Sequence, residues 1–302
     1  MAFSKVSTAL AALCLAAACG EKSGEANAPN EAAEAAGAVA AIPEDAGPAL
    51  WRTGDEDTTI YLFGTVHVLP EDLEWRTDLI DNAMAEASAV YFETDIDPNP
   101  IEITRIVSAL GLYSGGEKLS DRLTPVHRAT LAAACDSVGV SFALVDSMKP
   151  WMGALTLAER VIVEAGFNPQ SGVERTLSPI ARNSGAEIRK LETIEEQLRI
   201  FADMPEETQI NYLMEGLEEI DEEPTLLHDM VAAWAGGDVD TLADIMIQEE
   251  LADTPEIYEA LLVNRNRNWA ETLAELTRDE TGTFFVAVGA AHLAGEDSVM
   301  EM

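Results

Sequence analysis

The chain is short of cysteine, histidine and positive charge. Three cysteines occur in 302 residues, Cys14, Cys19 and Cys135, too few for the disulfide frameworks that hold small secreted domains together. Lys and Arg number 18 against 55 Asp and Glu, a formal net charge of −37. That balance argues against nucleic acid or an anionic membrane surface as a partner and is read as solubility. There is no His-Glu-x-x-His, no Gly-x-Ser-x-Gly, no Gly-rich phosphate loop with Lys and no Cys-x-x-Cys. The common hydrolase, nucleotide-binding and thiol-redox readings lose their usual support with them.

Hydrophobic residues make up 47% of the chain, ample for a packed core in one large or two small domains. Residues 1–18 have the layout of a lipoprotein-type signal peptide. Lys5 precedes an apolar stretch from Val6 to Leu15, and Ala16-Ala17-Ala18-Cys19 follows. The apolar stretch is too short to span a bilayer comfortably. Small residues before a cysteine resemble a bacterial lipobox, with Ala16 in the usual leucine position, so Cys19 is expected to carry lipid. Ordinary cleavage at Ala-x-Ala, giving a soluble secreted or periplasmic protein, is the alternative. Residues 19–48 are rich in Ala, Glu, Gly, Asn and Pro without aromatics, an acidic tether that cannot bury enough surface to fold. The folded part is residues 49–302.

Two stretches in that part share one form. Thr59-Ile-Tyr-Leu-Phe-Gly-Thr-Val-His67 and Thr283-Phe-Phe-Val-Ala-Val-Gly-Ala-Ala-His292 are each an apolar, β-branched and aromatic run that reads as a buried strand, followed by Gly-x-x-His. They hold half of the four histidines. A glycine at this point permits a sharp turn or a close approach, and the histidine falls at or past the carboxyl end of the strand, where open α/β sheets bind ligands.

Periodicity and punctuation predict a strand over 59–68, a helix over 77–86 and a strand over 88–93, a βαβ unit with parallel strands. Helices are expected over 101–112, 125–138, 151–165 and 173–183, then a strand over 186–191. Further helices are expected over 193–202, 205–220, 225–235, 239–251 and 255–276, before the closing strand.

If the first two strands are parallel neighbours, Glu93 at the end of the second points to the same sheet edge as His67. His67, Glu93 and His292 then form either a metal-ligand set suited to Zn, Mn, Fe or Co, or an acid–base set. His127 and His228 have no partner motif and read as surface or core positions. Glu174, Glu192, Glu195 and Gln197 lie near helix starts, where capping and the helix dipole account for carboxylates. Arg265 and Trp269, four apart on a long helix, share one face.

Together, Leu62-Phe-Gly-Thr-Val-His67, Val90-Tyr-Phe-Glu93, Gly172-Val-Glu174, Leu191-Glu-Thr with Gln197, Ala233-Trp234 before Gly237-Asp238, Arg265-Asn266-x-x-Trp269 and Val286-Ala-Val-Gly-Ala-Ala-His-Leu293 resemble the TraB/GumN family, related to the Tiki metalloproteases. The resemblance implies an α/β fold, EreA/ChaN-like and Tiki-like, in which two related sheet halves bring both Gly-x-x-His motifs together around a large helical middle. It further implies His67, Glu93 and His292 as metal ligands, and Glu93, Arg265 and Asn266 as catalytic residues. The cofactor would be a divalent metal (Mn, Co or Zn), the substrate a peptide or protein, and the only membrane attachment the N-terminal lipid, in the periplasm-facing cell envelope and outer membrane. A non-catalytic metal- or haem-binding envelope lipoprotein is the alternative. Members usually continue past Val299 into another helix and strand, whereas this chain ends at Met302, which predicts a weakened closing half-sheet. Acylation of Cys19 is checked by detergent partitioning and N-terminal mass analysis of the native protein. Diacylglyceryl cysteine is the expected terminus, and Cys19→Ser should release a soluble form or block processing.

Overall fold

The computed structural model describes residues 47–218, 223–249 and 255–302. The expected signal peptide, Cys19 and the tether as far as residue 46 lie outside them. Five strands, β1 (Leu50–Gly54), β2 (Thr58–Thr65), β3 (Ala89–Phe92), β4 (Glu187–Lys190) and β5 (Gly282–Gly289), form one mixed sheet in the order β1-β2-β5-β3-β4. β2, β5, β3 and β4 run parallel, and β1 lies antiparallel along the β2 edge. A strand in the middle of a parallel sheet is apolar on both faces, and the Phe284 to Val288 run is built that way. Phe284, Val286 and Val288 face one core cluster; Phe285 and Ala287 face the other.

Nine helices of eight residues or more lie among the described residues: α1 (Asp78–Glu86), α2 (Pro100–Gly111), α3 (Pro125–Ser137), α4 (Pro150–Glu164), α5 (Val173–Ser184), α6 (Ile194–Ala202), α7 (Glu206–Glu218), α8 (Glu223–Ala235) and α9 (Asn264–Asp279). Their starts follow local chemistry. Thr77 and Thr124 cap α1 and α3 through their hydroxyls, α6 opens on a capping box of Thr193 with Glu196, and Pro sits in the first turn of α2, α3 and α4. α5 ends on Gly185 at φ 84°. Most of these helices share the large core on one face of the sheet. On the other face, Trp269, Leu273 and Leu276 of α9 cover Ile60, Leu62, Tyr91 and Phe284. No helix among the described residues is long and apolar enough to cross a membrane.

Four features differ from the sequence reading. β2 and β3 are not neighbours, because β5 inserts between them and pairs parallel with both. The closing strand β5 is thus the centre of the one sheet. β1, too short and too polar to stand out, is an additional strand. The helix expected over 255–276 is Pro255–Tyr258, a π-helical stretch Glu259–Val263 and then α9. Likewise the one expected over 239–251 is Val239–Ala243 followed by a π-helical stretch, Asp244–Glu249. Apolar spacing does not reveal a π turn, since one extra residue per turn hardly alters the pattern over so short a span.

Neither Gly64 nor Gly289 has a positive φ; both serve close approach. A Cβ on Gly64 would lie 3.0 Å from the Ala290 Cα, so β2 seats directly against the turn that carries His292. The Gly64 carbonyl accepts the Trp234 indole N–H at 2.8 Å, and that indole lies among Phe63 and Trp75 at centroid distances of 6.4 and 5.7 Å. Gly64→Ala is expected to cost about 1–3 kcal/mol by forcing β2 from this turn. Trp234→Phe should cost a similar amount, about 1–3 kcal/mol, by leaving the Gly64 carbonyl buried without a donor. Urea melts check both, and unchanged midpoints would show slack at this junction.

Candidate functional site

Strand register assembles the site. Thr65 pairs with Gly289 and Phe92 with Ala287, so the chain just beyond β2, β5 and β3 emerges at one sheet edge. That edge carries His67, Glu93 and, on the 3-10 turn Ala290–Leu293, His292. All three are buried, at 6%, 5% and 1% exposure. α9 adds buried Arg265 and Asn266, α5 adds Glu174, and α6 adds Gln197. Glu192 follows β4.

The Arg265 guanidinium is the hub. Its Nη2 donates to Glu93 Oε2 at 2.5 Å and to Glu192 Oε1 at 2.8 Å, and its Nε to Glu192 Oε2 at 3.2 Å. Its Nη1 donates to the Leu261 carbonyl at 2.9 Å and lies 2.9 Å from His292 Nε2. The five N–H groups of a guanidinium thereby all have partners. The plane also stacks on Trp269, 4.6 Å from the ring centroid, a cation–π contact. The π-helical stretch ahead of α9 presents Leu261, so the helical irregularity helps set where Arg265 lies.

Hydrogen bonding fixes the tautomer of His292. Asn266 Nδ2 donates to the Asp297 carbonyl at 2.7 Å, which leaves Asn266 Oδ1 to accept from His292 Nδ1–H at 2.5 Å. His292 Nε2 then carries the lone pair, and Arg265 Nη1 donates to it. Burial first, and then the guanidinium, push the His292 pKa down to about 3. Glu93 is opposite in sign. Burial alone would raise its pKa, but Arg265 and the neighbouring imidazoles outweigh burial and bring it down to about 2. Gln197 Nε2 donates to Glu93 Oε2 at 3.0 Å, and the Gly289 N–H donates to Oε1 at 2.6 Å. A Cβ on Gly289 would lie 3.0 Å from that same oxygen, which accounts for the second motif glycine. Glu192 shares the guanidinium but is pushed up to about 7, chiefly by burial.

His67 belongs to a second, adjoining pair. Its Nδ1 lies 2.8 Å from Glu174 Oε1, an ion pair when the ring is protonated. The Thr65 hydroxyl donates to the same carboxylate oxygen. Its Nε2 is buried without a hydrogen-bond partner among the described residues. Burial lowers the pKa of this ring, but Glu174 and then Glu93 more than reverse that, and the net direction is upward. Gly172 makes the pairing possible: a Cβ there would fall 2.2 Å from the His67 carbonyl oxygen. Without one, the Val173 N–H donates to the Val66 carbonyl at 3.1 Å and α5 starts against the end of β2.

The sequence reading thus named residues that the fold places together, His67, Glu93, His292, Arg265 and Asn266. It assigned Glu174, Glu192 and Gln197 to helix starts, though each faces the cluster. Their motifs were visible; which way the side chains face depends on how α5, α6 and the end of β4 dock. His127 and His228 lie elsewhere, with His228 against Phe167 at 4.8 Å.

The donor chemistry suits a divalent ion, but the arrangement does not fit one. No three His, Cys, Asp or Glu side chains among the described residues converge as a metal-binding group. The His292 lone pair and Glu93 Oε2, which would face an ion, are both engaged by Arg265.

The fold and site define an α/β protein with a buried ionic and imidazole cluster at the carboxyl edge of its parallel strands. The chain belongs to the TraB/PrgY/gumN family, whose profile matches residues 49–302. It is similar to "Uncharacterized protein YbaP" of Escherichia coli K12, 22% identical over 84% of this chain and 91% of that protein. The Shigella flexneri protein of the same description is also 22% identical, over 80% of this chain and 86% of its own length. No solved structure matches.

The pKa shifts predict acid sensitivity. His292 is depressed in the fold, so unfolding takes up a proton below its free value of 6.5, and stability is lost as pH falls towards about 3. Glu93 is depressed too, and its contribution is lost between 4.5 and about 2. Glu192 is raised, so it opposes them, adding stability as pH falls from about 7 to 4.5. Thermal stability should therefore drop steeply only below pH 4.5, where each unmatched proton costs about 1.4 kcal/mol per pH unit. His292→Gln should flatten this limb in scanning calorimetry at stepped pH.

Proposed function

We propose that this chain is a hydrolase in which His67 is the general base and Glu174 its orienting carboxylate. The observation that carries the reading is His67 Nε2, a buried ring nitrogen with no hydrogen-bond partner among the described residues, on an imidazole whose other nitrogen lies 2.8 Å from a buried carboxylate. A nitrogen so placed takes a proton from water while the carboxylate stabilises the imidazolium that forms. The hydroxide adds to the acyl carbon, and the same nitrogen returns the proton to the leaving group as the acyl bond breaks. Arg265 and Asn266 serve by position, Arg265 holding Glu93 and Glu192 charged-paired and Asn266 holding His292 in one tautomer. Peptide or protein is the substrate class, and the cell envelope, reached through lipid on Cys19, is the proposed location.

A divalent metal held by His67, Glu93 and His292 requires Arg265 to leave two of those groups, and no step is drawn through it. A non-catalytic binding lipoprotein is the second reading, favoured by closure of the cluster, since His67, Glu93 and His292 are each at most 6% exposed. A peptide library offered to the soluble domain in excess EDTA, with parallel Mn, Co and Zn arms, separates the three. Cleavage is expected in EDTA, rising with pH through a pKa above 6.5 because His67 must be neutral to act. His67→Ala should lower it about 10²–10⁴-fold, and Glu174→Gln should lower it as well. Cleavage only with added metal would restore the metal reading, and none in any arm would favour the binding protein.

A further inference from the structure

We propose that Thr65 is a positioning residue for His67: its buried hydroxyl pins the Glu174 carboxylate beside His67 Nδ1, and the pinned carboxylate keeps the lone pair of the neutral ring on Nε2. This role bears on turnover only under the reading of His67 as general base, on which it rests, while its effect on the ring is read with no turnover at all.

Placement comes from strand geometry. Thr65 closes β2 and His67 lies two residues on, and side chains two apart leave an extended chain on the same side. Both reach Glu174 in the first turn of α5. That turn is held against the residue between them, because the Val173 N–H donates to the Val66 carbonyl at 3.1 Å. Thr65, His67 and Glu174 are all buried. Hydroxyl and ring meet the carboxylate at one atom: Thr65 Oγ1 donates to Glu174 Oε1, and His67 Nδ1 lies 2.8 Å from that same oxygen. A carboxylate oxygen has two acceptor sites, so one serves the hydroxyl while the other faces the ring. The last torsion of a glutamate is broad and roughly two-fold, so the backbone contact alone does not orient its oxygens. Threonine is stiff at χ1, and its bond to a buried carboxylate is of the stronger, charge-assisted kind.

The surroundings of the ring supply the consequence. Neither nitrogen of His67 has a hydrogen-bond partner among the described residues, so no donor or acceptor there competes with Glu174 over which nitrogen carries the proton. A carboxylate oxygen 2.8 Å from Nδ1 attracts a proton to that nitrogen and repels a lone pair on it. Nε2 is then the basic nitrogen. His292 differs, because Asn266 Oδ1 at one nitrogen and Arg265 Nη1 at the other fix its tautomer from both sides. His292 is therefore an internal reference for any change confined to His67.

The test is ring-nitrogen NMR of the histidine-labelled protein with the rings neutral, His67→Gln and His292→Gln assigning the signals. Thr65→Val removes the hydroxyl and keeps the branched shape, and Thr65→Ser keeps the hydroxyl. Wild type is expected to carry the His67 proton on Nδ1. Thr65→Val should lower the ratio of the Nδ1–H to the Nε2–H tautomer about 2- to 12-fold, the equivalent of one hydrogen bond, with the His292 signals unmoved. Thr65→Ser should keep the wild-type ratio. A wild-type ring protonated on Nε2 overturns the proposal, and so does an unchanged ratio in folded Thr65→Val. Movement of both rings means general loosening and overturns it too. If Thr65→Val does not fold, Thr65→Ser decides: the wild-type ratio supports the role and a lowered one overturns it. In the peptide assay Thr65→Val should lower kcat with KM unchanged, and Thr65→Ser should rescue it; an unaltered kcat in Thr65→Val counts against the role. Because the tautomer is read without substrate, failure of this proposal and failure of the base reading are separately visible.

Discussion

The structure depends most on the ion pair between Arg265 and Glu93, with Glu192 as its third member. Glu93 follows the interior strand β3, and Arg265 comes from the helix that covers one face of the sheet. Their 2.5 Å contact joins the two layers at the functional edge. Both side chains are 6% exposed, a depth at which an unpaired charge is strongly unfavourable and loss of one partner costs about 3–5 kcal/mol. This pairing therefore fixes how α9 sits on the sheet. Gln197, the Gly289 N–H and the Trp269 face are arranged around it.

Glycine has a related role. Gly64, Gly172 and Gly289 all sit where a Cβ would meet another segment at 3.0 Å or less, respectively Ala290, the His67 carbonyl and Glu93. Each admits a backbone or carboxylate that brings one functional group into place. Gly64 seats the His292 turn on β2, Gly172 brings Glu174 to His67, and Gly289 lets its own N–H bind Glu93. The Gly-x-x-His form is in this sense a packing device as well as a chemical one.

The two imidazoles, although their motifs look alike, occupy unlike electrostatic environments. His67 faces a carboxylate and is raised; His292 faces a guanidinium and is held neutral. The sequence could not separate them, because the distinguishing neighbours, Glu174 for one and Arg265 for the other, lie 107 and 27 residues away along the chain.

Much of the architecture is determined locally. Thr77, Thr124, Thr193 and Gly185 mark helix ends by hydrogen bonds and φ values that need only a few neighbouring residues, so those boundaries were legible. The apolar run of β5 identified a buried strand, and the repeated Gly-x-x-His placed two histidines at strand ends. Strand order was decided only in three dimensions. β5 lies between β2 and β3 because all three are apolar on both faces, and local pattern does not rank which pairing buries most. The π-helical stretch before α9 was equally hidden, since apolar spacing does not show one extra residue in a turn. So the sequence by itself determined that His67, Glu93 and His292 would reach one sheet edge. Tertiary structure alone decided that Arg265, rather than open space, would lie between Glu93 and His292, because that depends on how a distant helix docks and which buried charges must be neutralised.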